Sequence, residues 1–227
     1  MAEIIAAMNR AHDAPAKRPP RRRLTSEQRR DQLCRATIAV VSRLGYQHAS
    51  ASAIVAEAGV SKGLLWHYFV DGDELMEATA RATLVRLREA VAADLDLSAP
   101  VPQVIRAAIH RAAALPRTHR DELRAMREIV ENLRHPDGTR RLGLDEYEQT
   151  YRGQAALFRR GQEEGSLRPV DARYLAVTYQ GAVDAMLSYL DAHPETDAER
   201  YAATVADILL DGIAVRPTPA ATGKVEP

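Results

Sequence analysis

The sequence predicts an all-α protein in which a three-helix N-terminal domain precedes a larger helical body. Apolar residues recur at spacings of three and four through successive segments, as they do along one face of a helix. No segment shows the strict apolar and polar alternation that marks a half-buried strand. Two short helical segments meet at a tight turn around Gly59, which is the pattern of a helix-turn-helix unit.

The composition permits this architecture and limits the possible functions. The chain has 227 residues, 46% of them apolar, and a formal net charge of zero, so one large or two unequal domains fit. Its single cysteine, Cys34, excludes a disulfide within one chain and a cysteine-rich metal site, which fits a reducing cytoplasm. No run of about 18 apolar residues and no charged-then-apolar leader appears. We therefore expect a cytoplasmic protein without a membrane segment.

Residues 1–24 are predicted to be a disordered arm, because they contain three prolines and no sustained helical period. Over residues 1–30, basic side chains outnumber acidic ones by eight to three. Beside a helix-turn-helix, such an arm is typical of an electrostatic contact to phosphate, and it is also typical of a solvated leader. The basic residues are Arg10, Lys17, Arg18, Arg21, Arg22, Arg23, Arg29 and Arg30.

The first helix is predicted over residues 26–44. Thr25 or Ser26 would cap its start by accepting a bond from a free backbone N–H, and Gly45 would end it. Cys34 lies on the apolar stripe of this helix, so we expect a buried, inert thiol rather than a redox sensor.

The next stretch carries the helix-turn-helix pattern. Ser50 is the expected cap of a second helix, Ala51–Ala58, and Gly59 supplies the turn. Ser61 then caps a third helix that runs into the aromatic sequence WHYF. In DNA-binding proteins with this unit, the second helix of the pair enters the major groove. The pattern therefore predicts a DNA-binding domain over residues 25–72.

A long fourth helix is predicted to link this domain to the body. Asp71 and Glu74 have the spacing of a capping box that begins a helix, and its apolar stripe continues to about Leu95. We assign the body to residues 73–215, with residues 73–96 as the linking helix.

Further helices follow a break at residues 98–102, and residues 216–227 are predicted to be a disordered tail. The expected segments are Val104–Leu115 stopped by Pro116, a helix capped by Thr118 with Asp121 that reaches Leu133, Leu144–Phe158 closed by Gly165, Ala172–Ala192, and a last helix capped by Thr196 or Asp197 that reaches about Ala214.

A set of residues at characteristic spacings runs through positions 45–75: Gly45-Tyr46, Ser50, Ile54, Ala58-Gly59-Val60-Ser61, Lys62-Gly63, Leu65, Tyr68-Phe69 and Leu75. In these residues the sequence resembles the TetR family of bacterial repressors. The match covers about 50 residues and is specific because many spacings agree at once, whereas the rest of the chain agrees only in length and helical order. The resemblance implies a DNA-binding domain followed by a C-terminal helical domain for ligand binding and dimerisation.

The resemblance also implies which residues contact double-stranded DNA. Lys62 would reach a base edge or a phosphate, and Gly63 would let the backbone approach closely. Trp66 and Tyr68 would donate to phosphates, although Trp66 also fits a core position, and His67 also fits an ordinary surface position. The predicted set is Ser50, Ser52, Ser61, Lys62, Gly63, Leu64, Trp66, His67 and Tyr68, with Arg21, Arg22 and Arg23 of the arm.

Two positions depart from the family pattern. Gly72 stands where the family commonly has a phosphate-binding lysine, and Ser52 stands where it often has arginine. Asp71 and Asp73 would oppose a phosphate at the start of the fourth helix. We therefore expect weaker DNA contact from the folded domain, with the arginines of residues 18–23 supplying charge through the minor groove.

The last two helices are apolar on both sides, as is typical of helices that are buried on both sides. The resemblance implies a four-helix interface between two copies of the chain, and the alternative is that both helices lie inside a monomeric bundle. The predicted interface residues are Gly181, Ala185, Ser188, Val205, Leu209 and Gly212.

A pocket for a small apolar effector is expected among the middle helices. Plain core packing is the alternative for each candidate residue, and sparse aromatic residues argue against a large aromatic cage for a cation. No phosphate loop, nucleophile elbow or metal-ligand spacing appears, so we expect no cofactor, metal or catalysis. The candidates are His110, Met126, Tyr147, Tyr151, Phe158 and Tyr179.

Together these patterns predict a dimeric repressor that binds a near-palindromic operator and is released by a small ligand. The alternative is an activator or a ligand-independent DNA-binding regulator. An all-α enzyme or lipid carrier is the least favoured function, because no catalytic constellation appears in the sequence.

Overall fold

A computed structural model describes residues 24–215 of the chain as a two-part assembly of α-helices. The predicted arm, from residue 1 to 23, and the predicted tail, residues 216–227, lie outside the described residues. Within residues 24–215 no β-strand occurs, and the all-α prediction is confirmed. The helices are α1 (Ser26–Leu44), α2 (Ala51–Ala58), α3 (Lys62–Tyr68), α4 (Gly72–Ala92), α5 (Val101–Thr118), α6 (Arg120–Asn132), α7 (Glu148–Glu163), α8 (Ala172–Ala192) and α9 (Ala198–Ile213), with 3₁₀ helices at Tyr46–His48 and Leu144–Tyr147.

Side-chain caps begin several helices where the sequence predicts them. At α1, Thr25 Oγ1 accepts from the backbone N–H of Gln28 at 3.2 Å, and Gln28 Oε1 accepts from the N–H of Thr25 at 3.0 Å. Each such bond satisfies a donor that the first turn of a helix leaves free. The caps of α2, α3, α4 and α9 are Ser50, Ser61, Asp71 and Asp197.

Several helix boundaries differ from the prediction; for example, α5 begins at Val101 and α7 at Glu148. Pro116 does not stop α5, which continues to Thr118, because a proline in the last turn removes only one backbone donor. Thr118 does not cap α6, since its hydroxyl donates to the carbonyl of Ala114 within α5 at 3.1 Å. His119 precedes α6 without a side-chain cap bond. The linking helix α4 ends at Ala92 rather than near residue 95.

Buried apolar side chains form two cores. One core lies in the body, among α5, α7, α8 and α9. The other joins α1, α2, α3 and the first half of α4 to Ala125 and Ile129 of α6, and to Leu133 and Leu142 in the segment that follows α6. The N-terminal helices therefore share their core with the body rather than closing it by themselves.

Cys34 lies in the N-terminal core with 3% of its surface exposed. Burial raises the pKa of its thiol above the ordinary value, which keeps the sulfur protonated at neutral pH. The predicted burial of Cys34 is confirmed.

Polar bonds fix α6 to the C-terminal end of α1 and the turn beyond it. Ser42 Oγ donates to Asp121 Oδ1 at 2.6 Å, and Glu128 Oε2 accepts from the backbone N–H of Tyr46 at 3.2 Å. Both bonds cross between the two parts of the molecule, so a shift of α6 would be passed to the N-terminal helices. In this part of the chain no helix is long and apolar enough to cross a membrane.

Candidate functional site

The turn between α2 and α3 is closed by backbone bonds and one glycine. Gly59 has φ 65° and ψ 38°, a left-handed conformation that a side chain would strain. The N–H of Val60 bonds the carbonyl of Val55 at 3.0 Å, and Ser61 Oγ accepts from the N–H of Leu64 at 3.2 Å. The end of α2 and the start of α3 thus lie three residues apart, which fixes the angle between the helices.

Helix α3 has a buried side and an exposed side. Leu65 and Phe69 are buried in the N-terminal core, whereas Trp66 is 44% exposed and lies outside both cores. Among the predicted DNA-binding residues of the described chain, Leu64 and Tyr68 are half-buried, and the exposed ones are Ser50, Ser52, Ser61, Lys62, Gly63, Trp66 and His67. The structure places none of them in the core, and the arginines 21–23 lie outside the described residues.

The exposed side of α3 keeps its hydrogen-bond donors free. Within residues 24–215, no atom accepts a hydrogen bond from the Lys62 ammonium, the Trp66 indole N–H or the Tyr68 hydroxyl. Ser50 and Ser61 use an oxygen lone pair for capping, so each hydroxyl hydrogen remains available. This surface can therefore donate several bonds to an anion such as a phosphate.

Arg30 holds the end of α3 against α1 and α4. Its Nη1 donates to the carbonyl of Tyr68, its Nη2 lies 3.3 Å from Glu74 Oε1, and its guanidinium carbon lies 4.2 Å from the centre of the Phe69 ring. Arg30 is one of the eight basic residues among positions 1–30, where charge alone suggests a contact with phosphate. The structure instead assigns it a positioning role for α3.

The start of α4 carries less free negative charge than its sequence suggests. Asp71 Oδ1 accepts the N–H of Glu74 at 2.8 Å, and Glu74 Oε2 accepts the N–H of Val70 at 2.6 Å. Asp73 Oδ2 lies 2.7 Å from Arg141 Nη1, in the loop after α6. Of the two aspartates expected to oppose a phosphate, Asp73 is therefore paired with a cation.

A partly open cavity of about 1020 Å³ lies between α4, α5, α7 and α8, with the start of α6 on one wall. Its volume is at the upper end of the range typical of small-molecule sites. Most of the lining is aliphatic, with side chains such as Leu87, Val91, Ile105, Leu157 and Leu187. The space suits a ligand that is largely apolar.

Four of the six residues predicted for the effector pocket line this cavity: Met126, Tyr147, Phe158 and Tyr179. Tyr151 does not, because it stacks on Tyr147 at 5.8 Å between ring centres and packs under the guanidinium of Arg173. His110 does not either. It lies on the outer face of α5, where its Nδ1 is 2.6 Å from Glu199 Oε2 of α9.

A row of polar residues on the cavity wall was not predicted from the sequence. Gln154 Nε2 donates to Gln180 Oε1 at 2.6 Å, and Gln180 Nε2 donates to Asp184 Oδ1 at 2.8 Å. The hydroxyl of Tyr147 also bonds Asp184. Burial raises the pKa of Asp184, and burial beside that carboxylate raises the pKa of Tyr147. The available signal was the position of Gln154 within the helical stripe that contains Tyr147 and Phe158.

The outer face of α8 is exposed, and its middle part carries small side chains. Gly181, Ala185 and Ser188 all face solvent in the single chain, and a Cβ added at Gly181 would meet no atom within 4 Å. Larger side chains on the same face of α8 are also exposed; these are Tyr174, Val177 and Tyr189. The face is open enough for another helix to approach closely.

The α9 residues predicted for the interface divide between the surface and the core. Gly212 is exposed, whereas Val205 is buried in the body core and Leu209 packs against it. Ile208, adjacent to Leu209, is instead 68% exposed. Successive side chains along a helix point about 100° apart, so neighbouring apolar residues of α9 can lie on different faces. The apolar pattern alone therefore did not distinguish its inner face from its outer face.

The geometry defines a class of protein: a helix-turn-helix unit with a free polar surface, carried on a helical body that encloses a cavity. Residues 33–79 match the sequence profile of bacterial regulatory proteins of the tetR family. Within these residues the chain thus carries a DNA-binding domain of the tetR-family type. Among residues 24–215, no group of three or more His, Cys, Asp or Glu side chains is placed to hold a metal ion.

Curated relatives match the N-terminal part of the chain. An HTH-type transcriptional regulator BetI from Yersinia pestis is 48% identical over 63 residues, which are 28% of this chain and 32% of that protein. A BetI 2 regulator from Chromohalobacter salexigens is 46% identical over 65 residues, which are 29% and 31% of the two chains. The match thus spans about a third of the length of these relatives.

Solved structures match most of the described chain. The structure of tylp, a tetR regulator from Streptomyces fradiae, has a TM-score of 0.65 at 20% identity. The superposition covers 85% of this chain and 89% of the tylp chain. A protein from Rhodococcus sp. RHA1 has a TM-score of 0.67 at 18% identity, with 86% and 98% covered. At these identities the likeness establishes the fold of the body and not its ligand.

Proposed function

We propose that the protein is a cytoplasmic DNA-binding transcriptional regulator, most simply a repressor, that binds a near-palindromic operator as a homodimer. A small, largely apolar effector would bind the body cavity and release the operator. The proposal assigns the protein no catalytic step. The exposed surface of α3, held by the Gly59 turn and Arg30, supports the contact to DNA.

The observation that carries the effector proposal is that two helices contribute to both the N-terminal core and the cavity. The first half of α4 places Leu75 in the N-terminal core, and its second half places Leu87 on the cavity wall. Helix α6 buries Ile129 in the same core and lines the cavity with Leu123. A ligand that fits only one arrangement of these helices would shift the orientation of α3 by its differential affinity.

Bridging side chains tie α4 to the segment at the start of α7 beside the cavity. Arg81 forms two bonds of 3.0 Å to the carboxylate of Glu146, and Arg88 Nη1 donates to Gln149 Oε1 at 3.1 Å. These bonds hold the cavity wall to α4, which begins beside α3. They offer a second way in which a bound ligand could shift the DNA-binding helices.

A gel shift with DNA from beside the protein's own gene tests the central proposal. A shift at low salt that unlabelled copies of the same DNA abolish, and unrelated DNA does not, is the expected result. Absence of any shift at low salt would overturn the regulator proposal. A transcriptional reporter behind the same DNA then distinguishes repression from activation.

Replacing Lys62 with alanine is expected to weaken operator binding about tenfold, because a base or phosphate contact of this kind contributes roughly 1–3 kcal/mol. Lys62 is the only lysine or arginine between Arg43 and Arg81. Arg159→Ala, which removes an exposed cation from α7, serves as the matched control and should leave affinity unchanged. Equal affinities for both variants in a gel shift would contradict the role of Lys62.

Deleting residues 1–23, which lie outside the described residues, is expected to lower affinity for DNA and to flatten its dependence on salt. The deletion removes six basic and two acidic side chains (Arg10, Lys17, Arg18, Arg21, Arg22 and Arg23; Glu3 and Asp13). Each lost phosphate contact reduces the slope of log affinity against log salt by about 0.9. Fluorescence anisotropy at several salt concentrations measures this slope, and an unchanged slope would assign the arm no contact with phosphate.

A further inference from the structure

The carboxylate of Asp184 fixes the direction of the polar row on the cavity wall. A carboxylate can only accept, so Gln180 must turn its amide N–H₂ toward Asp184, and the bond is 2.8 Å long. The oxygen of Gln180 then faces Gln154, which must donate in turn, over 2.6 Å. The oxygen of Gln154 is therefore the acceptor left at the end of the row.

Two atoms on this part of the wall have no partner. Gln154 Oε1 and Thr150 Oγ1 are both buried without a hydrogen bond, and both residues line the cavity. A buried acceptor without a donor raises the free energy of the empty protein. A ligand group that donates hydrogen bonds would relieve this cost after a small rotation of either side chain.

The same wall carries a carboxyl group without a cationic partner. Asp184 is the one acidic residue among those that line the cavity, and within the described chain no Lys, Arg or His nitrogen lies within 4 Å of it. Burial raises the pKa of Asp184 above its usual range, and the bonds from Gln180 and Tyr147 act in the opposite direction. A nearby cation would favour the charged carboxylate.

The arginines that line the cavity are already engaged elsewhere. Arg160 Nε lies 3.0 Å from Glu164, and Arg152 Nε lies 2.8 Å from Glu148. Arg88 donates to the side-chain oxygen of Gln149. None of these cations balances Asp184, so the polar end of the cavity favours a positive, hydrogen-donating group.

We propose that the cavity binds an amphipathic amine, with a protonated primary or secondary amine at the polar row of Gln154, Gln180 and Asp184 and an apolar body along the aliphatic wall. The ammonium group would supply a positive charge and hydrogen-bond donors, and the row lacks both. The role of this amine in releasing DNA rests on the proposed function, whereas its binding does not.

The test uses the full chain and four ligands with one eight-carbon tail. Calorimetry compares octylamine, octanol, octanoate and octyltrimethylammonium. We expect octylamine to bind at least about tenfold more tightly than octanol, because hydrogen bonds to charged groups exceed neutral ones by this order. Equal affinity for octanol, or tighter binding of octanoate, would overturn the proposal. Equal affinity for octyltrimethylammonium, which has no N–H, would overturn the donor role assigned to the amine.

Asp184→Asn separates the charge from the shape of the site. Asparagine still accepts the bond from Gln180, so we expect octanol to bind as before while the preference for octylamine disappears. The control is Glu89→Gln, which removes an exposed carboxylate on α4 away from the cavity and should leave both affinities unchanged. An unaltered preference in Asp184→Asn would overturn the assignment of Asp184.

Separate measurements test the folding of Asp184→Asn and the role of the amine in regulation. The unfolding temperature of Asp184→Asn should equal or exceed that of the unaltered chain, because a buried charge is removed. If this variant fails to fold, the four-ligand series on the unaltered chain decides the proposal alone. Octylamine that binds without releasing the operator would support this ligand class and contradict the effector role.

Discussion

Ala185→Arg is expected to convert the proposed dimer into a monomer and to lower operator affinity by about 100-fold or more, since linking two binding modules raises affinity by this order. Ala185 lies on the exposed small-residue face of α8, between Gly181 and Ser188. A helix can approach another closely only where the contacting side chains are short. The long arginine side chain would hold the two copies apart and leave each monomer with a single half-site.

Light scattering at several protein concentrations measures the mass of the variant, and a gel shift measures its affinity. The matched control is Ala114→Arg, which places the same side chain at an exposed alanine of α5. The control should remain dimeric and bind DNA normally. A dimeric Ala185→Arg protein would show that the interface uses a different face of the body.

Phe69→Ala is expected to reduce the free energy of unfolding by about 3–5 kcal/mol, the usual effect of truncating a buried phenylalanine. Phe69 is 1% exposed and packs beneath the guanidinium of Arg30. Its loss leaves a cavity at the junction of α3 and α4. We expect this variant to lose operator binding because the DNA-binding helices are no longer held together.

Trp66→Ala is the control for this variant and is expected to keep its stability while it loses affinity for DNA. Trp66 has the larger side chain, yet it is half exposed and outside both cores, so its truncation should change stability by about 1 kcal/mol or less. Operator affinity should nevertheless fall, because the indole N–H is lost. Urea unfolding followed by circular dichroism gives the first quantity, and a gel shift gives the second. A large stability loss in Trp66→Ala would identify it as a core residue.

Local signals in the sequence were sufficient for the helix-turn-helix unit. A cap needs one hydroxyl or carboxylate at the right position, and a left-handed corner needs one glycine, so Ser50, Ser61, Asp71 and Gly59 could be assigned without knowing the tertiary structure. Pro116 shows the limit of such signals, because its effect depends on how much of the helix lies beyond it.

The cavity wall depends on which helices meet, and the sequence does not state this. Ala108 and Ala112 of α5 line the cavity, but His110, which lies between them in the sequence, points to another side of the helix. Its side chain contacts Glu199 of α9 instead. The position of Asp184 on the cavity wall could not be predicted from the sequence for a related reason. A carboxylate in an apolar stripe gains a partner only when Gln180 and Tyr147 are brought beside it by the packing of α7 on α8.

The shared N-terminal core also bears on how regulators of this type can be recombined. A fragment that ends after the linking helix would leave Leu33 and Val40 of α1 in a core that lacks Ala125, Ile129 and Leu133. The apolar surface of that core would then be open to water. The exchangeable unit of this protein is therefore discontinuous along the chain. A chimaera that grafts a foreign DNA-binding region onto this body must carry a compatible α6 with it, or redesign the seam between them.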